Sequence, residues 1–112
     1  MWMITTDGFY SVVDKQQGDG SLTVRARCRA DLDRLRERHL PSLGETRTGE
    51  GTDYPHRASV ERGDFAAAVA QMAEEVDYPN FKNEVYRRLG GARAHALGDV
   101  WRVLLALEQE DA

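Results

Sequence analysis

The sequence has little cysteine and proline and no long apolar run. Its 112 residues include a single cysteine, Cys28, so an intramolecular disulfide is excluded and a reducing compartment is predicted. No run of about 18 apolar residues occurs, which predicts the absence of a transmembrane helix. Residues Met1–Asp7 lack the basic and apolar regions of a signal peptide. These absences favour a cytoplasmic protein that does not associate with membranes.

Lysine is also scarce, and the charge balance is acidic. Lys15 and Lys82 are the two lysines among 15 basic residues, so arginine supplies nearly all of the positive charge. The formal net charge is −4, which argues against non-specific nucleic-acid binding because that function calls for a basic surface. Hydrophobic residues make up 41% and charged residues 30%, as in an ordinary globular protein, and the length predicts one domain over residues 1–112.

Strict alternation marks the segment Leu22–Arg29. Leu22, Val24, Ala26 and Cys28 alternate with Thr23, Arg25, Arg27 and Arg29. Because successive side chains of a strand point to opposite faces, the pattern predicts a half-buried strand with a row of arginines on its second face. Cys28 is then predicted to be a small buried hydrophobe.

The remaining pattern predicts an α+β fold. Short strands are predicted at 2–4, 9–13 and 54–60, and helices at 32–40, 64–76, 81–89 and 92–108. A crossover through the first helix predicts parallel pairing of the arginine strand with 54–60. We therefore expect a small mixed sheet of three to four strands with the helices on one face, in the order strand, strand, helix, strand and three helices. Residues 41–53 are predicted to form a long, mobile loop.

Chemical motifs are sparse. His39, His56 and His95 do not have the spacing of metal ligands, so we expect no metal and no cofactor. No serine lies in a nucleophile motif. His95 and Asp99 are four residues apart on the last helix, which fits a surface pair, a partner contact or an acid–base pair. No catalytic residue is assigned, and the balance is against an enzyme.

The arginine row is the best guide to function. Arg57, on the strand at 54–60, is predicted to share one sheet face with Arg25, Arg27 and Arg29, with Tyr10 and Tyr54 as aromatic neighbours. Acids across the strands could neutralise this face. Otherwise it could bind a protein partner, with self-association through the edge strand near Tyr54 as one version, or a small anion such as a nucleotide, with Tyr10 stacking and the loop as a lid. Single-stranded nucleic acid is the least favoured ligand.

Short motifs along most of the chain carry a family resemblance. They are Thr6–Val13, Val24–Arg27, Asp53-Tyr54 with Arg57, Asp77–Lys82 and Val100-Trp101. Together they resemble a group of small uncharacterised bacterial and phage-associated proteins with a similar opening, an arginine strand and a final Val-Trp helix. Pro79 stands where that group has an acid. The group has no assigned activity, so the resemblance implies an order of elements and no catalytic or binding residue.

Overall fold

The structure of the protein is a computed structural model, which describes residues 1–49 and 53–111. Its strands and helices confirm the predicted α+β class. Contacts between residues group it into two compact units, Met1–Val76 and the residues from Asp77 onward. That the whole chain is one folding domain stays a prediction. In chain order the elements are β1 (Trp2–Ile4), β2 (Phe9–Val13), β3 (Ser21–Ala26), α1 (Arg29–Arg38), β4 (Arg47–Thr48), β5 (His56–Glu61), α2 (Arg62–Glu74), α3 (Phe81–Leu89), α4 (Gly91–Leu104) and a 3₁₀ helix (Leu105–Asp111).

The sheet of the first unit is antiparallel throughout. Its five strands lie in the order β1-β2-β3-β5-β4, and β3 pairs with β5 in the register Leu22↔Val60 to Ala26↔His56. The predicted mixed sheet with a parallel β3–β5 pair, and the predicted count of three to four strands, are therefore wrong.

The segment after α1 explains the antiparallel pairing. Gly44 N donates to Ser59 O at 2.9 Å, and Thr48 pairs with His56, so the chain runs along the outer edge of β5 before it enters that strand. This extra traverse of the sheet brings the chain to the end where β3 finishes, and β5 then runs back beside β3. A crossover made of α1 alone would have left the two strands parallel.

The predicted loop at 41–53 is partly ordered by these contacts. Leu43 is buried, β4 pairs with β5, and Gly49 N donates to Pro55 O at 2.8 Å. Residues 50–52 of this loop lie outside the described residues. The side of β5 near Tyr54 pairs with β4 and its flanking residues, so a second copy of the chain cannot pair with that side of β5.

One core joins α1 and α2 to one face of the sheet. Its members are Tyr10, Val12, Leu22, Val24, Ala26, Leu32, Leu35, Leu40, Leu43, Ala58, Val60, Phe65 and Ala68. The alternation in β3 is confirmed for Leu22, Val24 and Ala26, which all enter this core. Burial at about 25 cal/mol per Å² of apolar surface makes this cluster the main source of stability in the unit. The helix-bearing face is therefore closed, and the opposite face is the one that carries the arginines.

The strand ends earlier than its sequence pattern. Asp31 N donates to Cys28 O at 3.1 Å, which begins the turn into α1, so Cys28 precedes the helix and Arg29 is its first residue. The helix predicted to begin at Leu32 thus begins three residues earlier, and Asp31 lies inside its first turn, where its carboxylate accepts a hydrogen bond from Phe9 N at 3.0 Å. Cys28 is exposed, and the prediction of a buried thiol is wrong.

The second unit is a helical pair. Asn80 caps α3, because its Oδ1 accepts from Asn83 N at 2.8 Å, and α3 packs against α4 around the buried Val85 and Ala94. No helix in the described part of the chain has the length and apolar character needed to cross a membrane.

Candidate functional site

A single row of residues crosses the sheet on the face opposite the helices. The register pairs Trp2 with Ser11, Ser11 with Arg25, Arg25 with Arg57 and Arg57 with Arg47, so the row takes one residue from each of the five strands. We call this row, together with Arg27 and Tyr54, the arginine face. Directly opposed residues of neighbouring strands have Cβ atoms about 5 Å apart, and like charges at that distance repel. Three arginines side by side therefore need compensation.

Tyr54 supplies part of that compensation. The guanidinium carbon of Arg25 lies 4.7 Å from the centroid of the Tyr54 ring, and that of Arg27 lies 5.1 Å from it. A cation over an aromatic face gains roughly 0.5–2 kcal/mol, more when water is excluded. Tyr54 itself is buried, so its ring holds the arginines in place and offers no free face to a ligand.

Hydrogen bonds position the arginines further. Arg25 Nη2 donates to Ser11 Oγ at 2.7 Å, and Arg57 Nε donates to the carbonyl of Tyr54 at 3.2 Å. Arg47 Nη1 donates to Ser59 Oγ at 3.3 Å. These acceptors are neutral, so they orient the guanidiniums without cancelling their charge.

Asp53 balances the charge of Arg57 only weakly. Its Oδ1 lies 3.8 Å from Arg57 Nη2, near the limit of an ion pair, and the carboxylate is largely exposed. The side chain of Arg57 is 13% exposed, whereas Arg27 and Arg47 are open to solvent. Arg25 Nε is buried and has no hydrogen-bond partner in the part of the chain that the structure describes. The face thus combines two partly buried arginines, Arg25 and Arg57, with two exposed ones.

An aromatic strip extends the face to the far edge of the sheet. The rings of Tyr54 and Phe9 lie 6.2 Å apart, and Phe9 meets Trp2 edge to face at 5.7 Å. Trp2 is 72% exposed. The row therefore runs from an exposed indole on β1 to an exposed guanidinium on β4, about 19 Å away at the usual strand spacing.

The predicted residues are only partly brought together. Arg25, Arg27, Arg57 and Tyr54 meet on one face. Arg29 lies on α1, beyond the strand, and Tyr10 points to the opposite face, where it is fully buried and its hydroxyl donates to the carbonyl of Asp31 at 2.8 Å. The placement of Arg29 in the row and of Tyr10 beside it is therefore wrong.

Sequence reasoning missed Arg47 and Trp2. Arg47 sits in a two-residue strand inside a Gly- and Thr-rich segment, where no periodicity can be read. Trp2 had a usable signal, since Trp2 and Ile4 flank Met3 in an alternating strand and so share a face.

A second polar cluster, with the carboxylate of Asp7 buried at its centre, lies between the β1–β2 turn and α1. Asp7 Oδ1 lies 3.0 Å from Arg38 Nε, and Asp7 Oδ2 lies 2.9 Å from His39 Nε2. Arg34 Nε donates to the carbonyl of Asp7 at 2.7 Å and also pairs with Asp31. These contacts tie the turn to both ends of the helix.

His39 in this cluster is too enclosed for catalysis. Its side chain is 5% exposed, and Nδ1 lies 3.5 Å from the carboxylate of Glu75 without an aligned hydrogen bond. The two carboxylates flank opposite nitrogens of the ring, so they do not converge on a common point. Within residues 1–49 and 53–111, no three His, Cys, Asp or Glu side chains form a group that could hold a metal ion.

His95 and Asp99 form a surface pair on α4. His95 Nε2 lies 3.7 Å from Asp99 Oδ2, Arg102 Nη1 donates to Asp99 Oδ1 at 2.6 Å, and the His95 side chain is 82% exposed. A general base acts best when it is held in a site that limits access of water. This geometry favours the surface pair among the three predicted alternatives.

Comparison of the chain with family models, with curated proteins and with solved structures finds no match. The resemblance to the bacterial and phage-associated group therefore stays a prediction.

Proposed function

We propose that this protein is a non-enzymatic cytoplasmic interaction domain whose arginine face binds an acidic segment of a partner protein. One observation carries the proposal: Arg25, Arg57 and Arg47 occupy directly neighbouring positions on three strands. Arginine offers a planar fork that binds carboxylates through two parallel hydrogen bonds. The single exposed Cys28 supports the reducing compartment.

Repulsion within the row favours an anionic partner. A carboxylate placed between two neighbouring guanidiniums lowers the energy of both, and the partly buried positions of Arg25 and Arg57 reduce the screening by water. The side chains of Arg27 and Arg47 are exposed at the two outer positions of the face. The two inner arginines then set the register, and the two outer ones make the first contacts.

The exposed indole of Trp2 predicts a second feature of the partner segment. Trp2 stands at the opposite end of the row from Arg47. Tryptophan and arginine are both enriched among the residues that dominate binding energy at interfaces. An extended segment spans about 19 Å with about six residues, so we expect a partner segment of that length with carboxylates at one end and an apolar side chain at the other.

A small anion is the second candidate ligand, favoured by the directly neighbouring positions of Arg25 and Arg57 on β3 and β5. A phosphate held between the two guanidiniums would accept hydrogen bonds from both, as phosphate suits the guanidinium fork. Thermal-shift measurements with phosphate, sulfate and ADP at low and high salt distinguish this ligand from a peptide.

The test compares two charge-matched double variants. Arg27→Glu with Arg47→Glu replaces the two exposed arginines of the face, and Lys15→Glu with Lys82→Glu changes the net charge by the same four units at exposed positions outside the row. The probe is a fluorescein-labelled peptide of six to eight residues with alternating Glu and one terminal Phe, followed by fluorescence anisotropy.

We expect wild type and the lysine variant to bind the peptide with an affinity that falls as salt rises. The arginine variant should bind at least about tenfold more weakly while its circular dichroism spectrum remains that of wild type, since a close interfacial charge pair couples by roughly 1.5 kcal/mol or more. Equal binding by a folded arginine variant, or equal loss in the lysine variant, would contradict the proposal.

A further inference from the structure

Arg36, on α1, holds the part of the chain that leads into β4. Its Nε donates to the carbonyl of Leu43 at 3.2 Å, and its Nη2 donates to the carbonyl of Gly44 at 2.6 Å and to Thr46 Oγ1 at 2.9 Å. We call residues 43–48 the edge segment, because they run along the outer side of β5. One guanidinium of the helix layer thus holds the edge segment at three positions.

The guanidinium of Arg36 is itself fixed. Its Nη1 donates to Asp33 Oδ1 at 3.2 Å on the same helix, and the side chain is 26% exposed. All three of its nitrogens therefore have an acceptor. Arginine presents its donors in a rigid planar fork and can hold two successive carbonyls at once, whereas lysine is a point charge on a flexible stem.

The edge segment is held from the side of the sheet as well. Gly44 N donates to Ser59 O at 2.9 Å, and a Cβ atom at Gly44 would lie 3.2 Å from that same oxygen, so the two backbones are in close contact. Three residues further on, Arg47 pairs with Arg57, and its Nη1 donates to Ser59 Oγ at 3.3 Å. The edge segment is thus clamped at Gly44, between Arg36 and β5, just before it delivers Arg47 to the arginine face.

We propose that Arg36 is a positioning residue for the arginine face, which sets the register of β4 on β5 and so places Arg47 beside Arg57. β4 has two residues, and so short a strand needs support from contacts outside its own ladder. The proposal rests on the function proposed above. It adds to that function a residue of α1, which packs against the opposite face of the sheet and acts through Arg47.

A fixed Arg47 favours binding. Ordering a loop and a long side chain when a partner binds costs free energy and so reduces affinity. Because Arg36 orders the edge segment in the free protein, this cost falls on folding instead of binding. Without Arg36, Arg47 no longer stands at a defined position beside Arg57, so the partner gains less from it.

A double-mutant cycle tests whether Arg36 acts through Arg47. The variants are Arg36→Ala, Arg47→Ala and the two together, and the probe is the fluorescein-labelled peptide of six to eight residues with alternating Glu. Arg38→Ala is the matched control, because it removes the same charge from the last turn of the same helix, where Arg38 pairs with Asp7 in the β1–β2 turn. Circular dichroism confirms that each variant is folded.

We expect Arg47→Ala to weaken peptide binding about two- to fivefold, as for an exposed ion pair. Arg36→Ala should weaken binding by a similar factor and should add nothing when Arg47→Ala is already present. Arg36→Lys should recover part of the loss, because an ammonium still reaches one of the two carbonyls. An effect of Arg36→Ala that adds in full to that of Arg47→Ala, or an equal loss in Arg38→Ala, overturns the proposal.

Amide hydrogen exchange separates failure of this proposal from failure of the proposed function. In Arg36→Ala the amides of Gly44 and Gly49, which donate to Ser59 O and Pro55 O, should exchange about tenfold faster or more, while the amides of β3 keep their protection. Unchanged exchange at both glycines overturns the positioning role, whether or not the peptide binds. Faster exchange combined with a wild type that does not bind the peptide overturns the proposed function and leaves Arg36 as the residue that places Arg47.

Discussion

Replacing Gly8 with alanine should destabilise the first unit strongly. A Cβ atom at Gly8 would lie 2.5 Å from Asp31 Cγ and 2.7 Å from Asp31 Oδ2, well inside van der Waals contact. Asp31 cannot withdraw freely, because its Oδ2 accepts from Phe9 N and its other carboxylate oxygen pairs with Arg34. The substitution therefore forces a buried carboxylate away from the strand that it holds.

The expected loss is about 3–5 kcal/mol. Breaking a hydrogen bond from Phe9 N to a charged acceptor costs roughly 1.5–3 kcal/mol, and forcing an extra methyl into a packed site costs roughly 1–3 kcal/mol. The ion pair with Arg34 adds little, because that side chain is about one-third exposed and water screens it. A small domain has on the order of 5–15 kcal/mol in total, so the loss is a large part of it.

Urea unfolding followed by tryptophan fluorescence measures this loss. In a Trp101→Phe background, Trp2 reports on the first unit alone. Gly63→Ala is the matched control, because its Cβ would lie 3.5 Å from Glu61 Oε1 in ordinary contact and it sits in α2, where alanine is favoured. The control should be neutral or slightly stabilising. A loss below about 1 kcal/mol for Gly8→Ala would refute the reasoning.

Two further predictions concern exposed groups. The hydroxyl of Ser21, and to a smaller extent its backbone N–H, donate to Asp19 and hold the pKa of that carboxyl below its ordinary value. Ser21→Ala removes the hydroxyl, so the pKa of Asp19 measured in an NMR titration should rise part of the way back. The stability that Ser21 adds through Asp19 should be complete above the pKa of Asp19 in the unfolded chain and should vanish as pH falls through its pKa in the folded chain. An unchanged titration of Asp19 in Ser21→Ala would show that the hydroxyl contact is not populated. Cys28 should react fully with a thiol reagent in native buffer, at nearly the rate measured in urea, and a need for denaturant would show that it is covered.

The apolar pattern predicted the faces of β3 but not its end. Leu22, Val24 and Ala26 lie in the core as the alternation requires. The same alternation continues through Cys28 and Arg29, although the turn into α1 has already begun there. Asp31, in the first turn of α1, accepts a hydrogen bond from Phe9 N, 22 residues away in sequence, and no local pattern contains this contact.

Two further features could not be predicted from the sequence: which sheet face each residue of β2 occupies, and the existence of the short edge strand β4. Phe9 and Tyr10 are adjacent aromatic residues, so a shift of one residue in the assignment of β2 exchanges the sheet faces that they occupy. In the structure Tyr10 lies on the core face, where its hydroxyl donates to the carbonyl of Asp31. β4 has two residues, too few to show an alternating pattern, and it is held by its pairing with β5. The predicted topology lacked the pass of the chain along β5 through β4, and it therefore gave β5 the wrong direction. Arg47 was lost from the candidate site for the same reason.

The antiparallel pairing of β3 with β5 also has a kinetic consequence. Val13 and Thr23 of the β2–β3 pair are ten residues apart in sequence, whereas Leu22 and Val60 are 38 apart. Closing the larger loop costs more chain entropy before any contact compensates for it, so docking of β5 should set the folding rate of this unit. The entropy of loop closure grows only with the logarithm of length. Insertions between β4 and β5 should therefore slow folding only slightly, and this connection can vary in length without changing the order in which the sheet assembles.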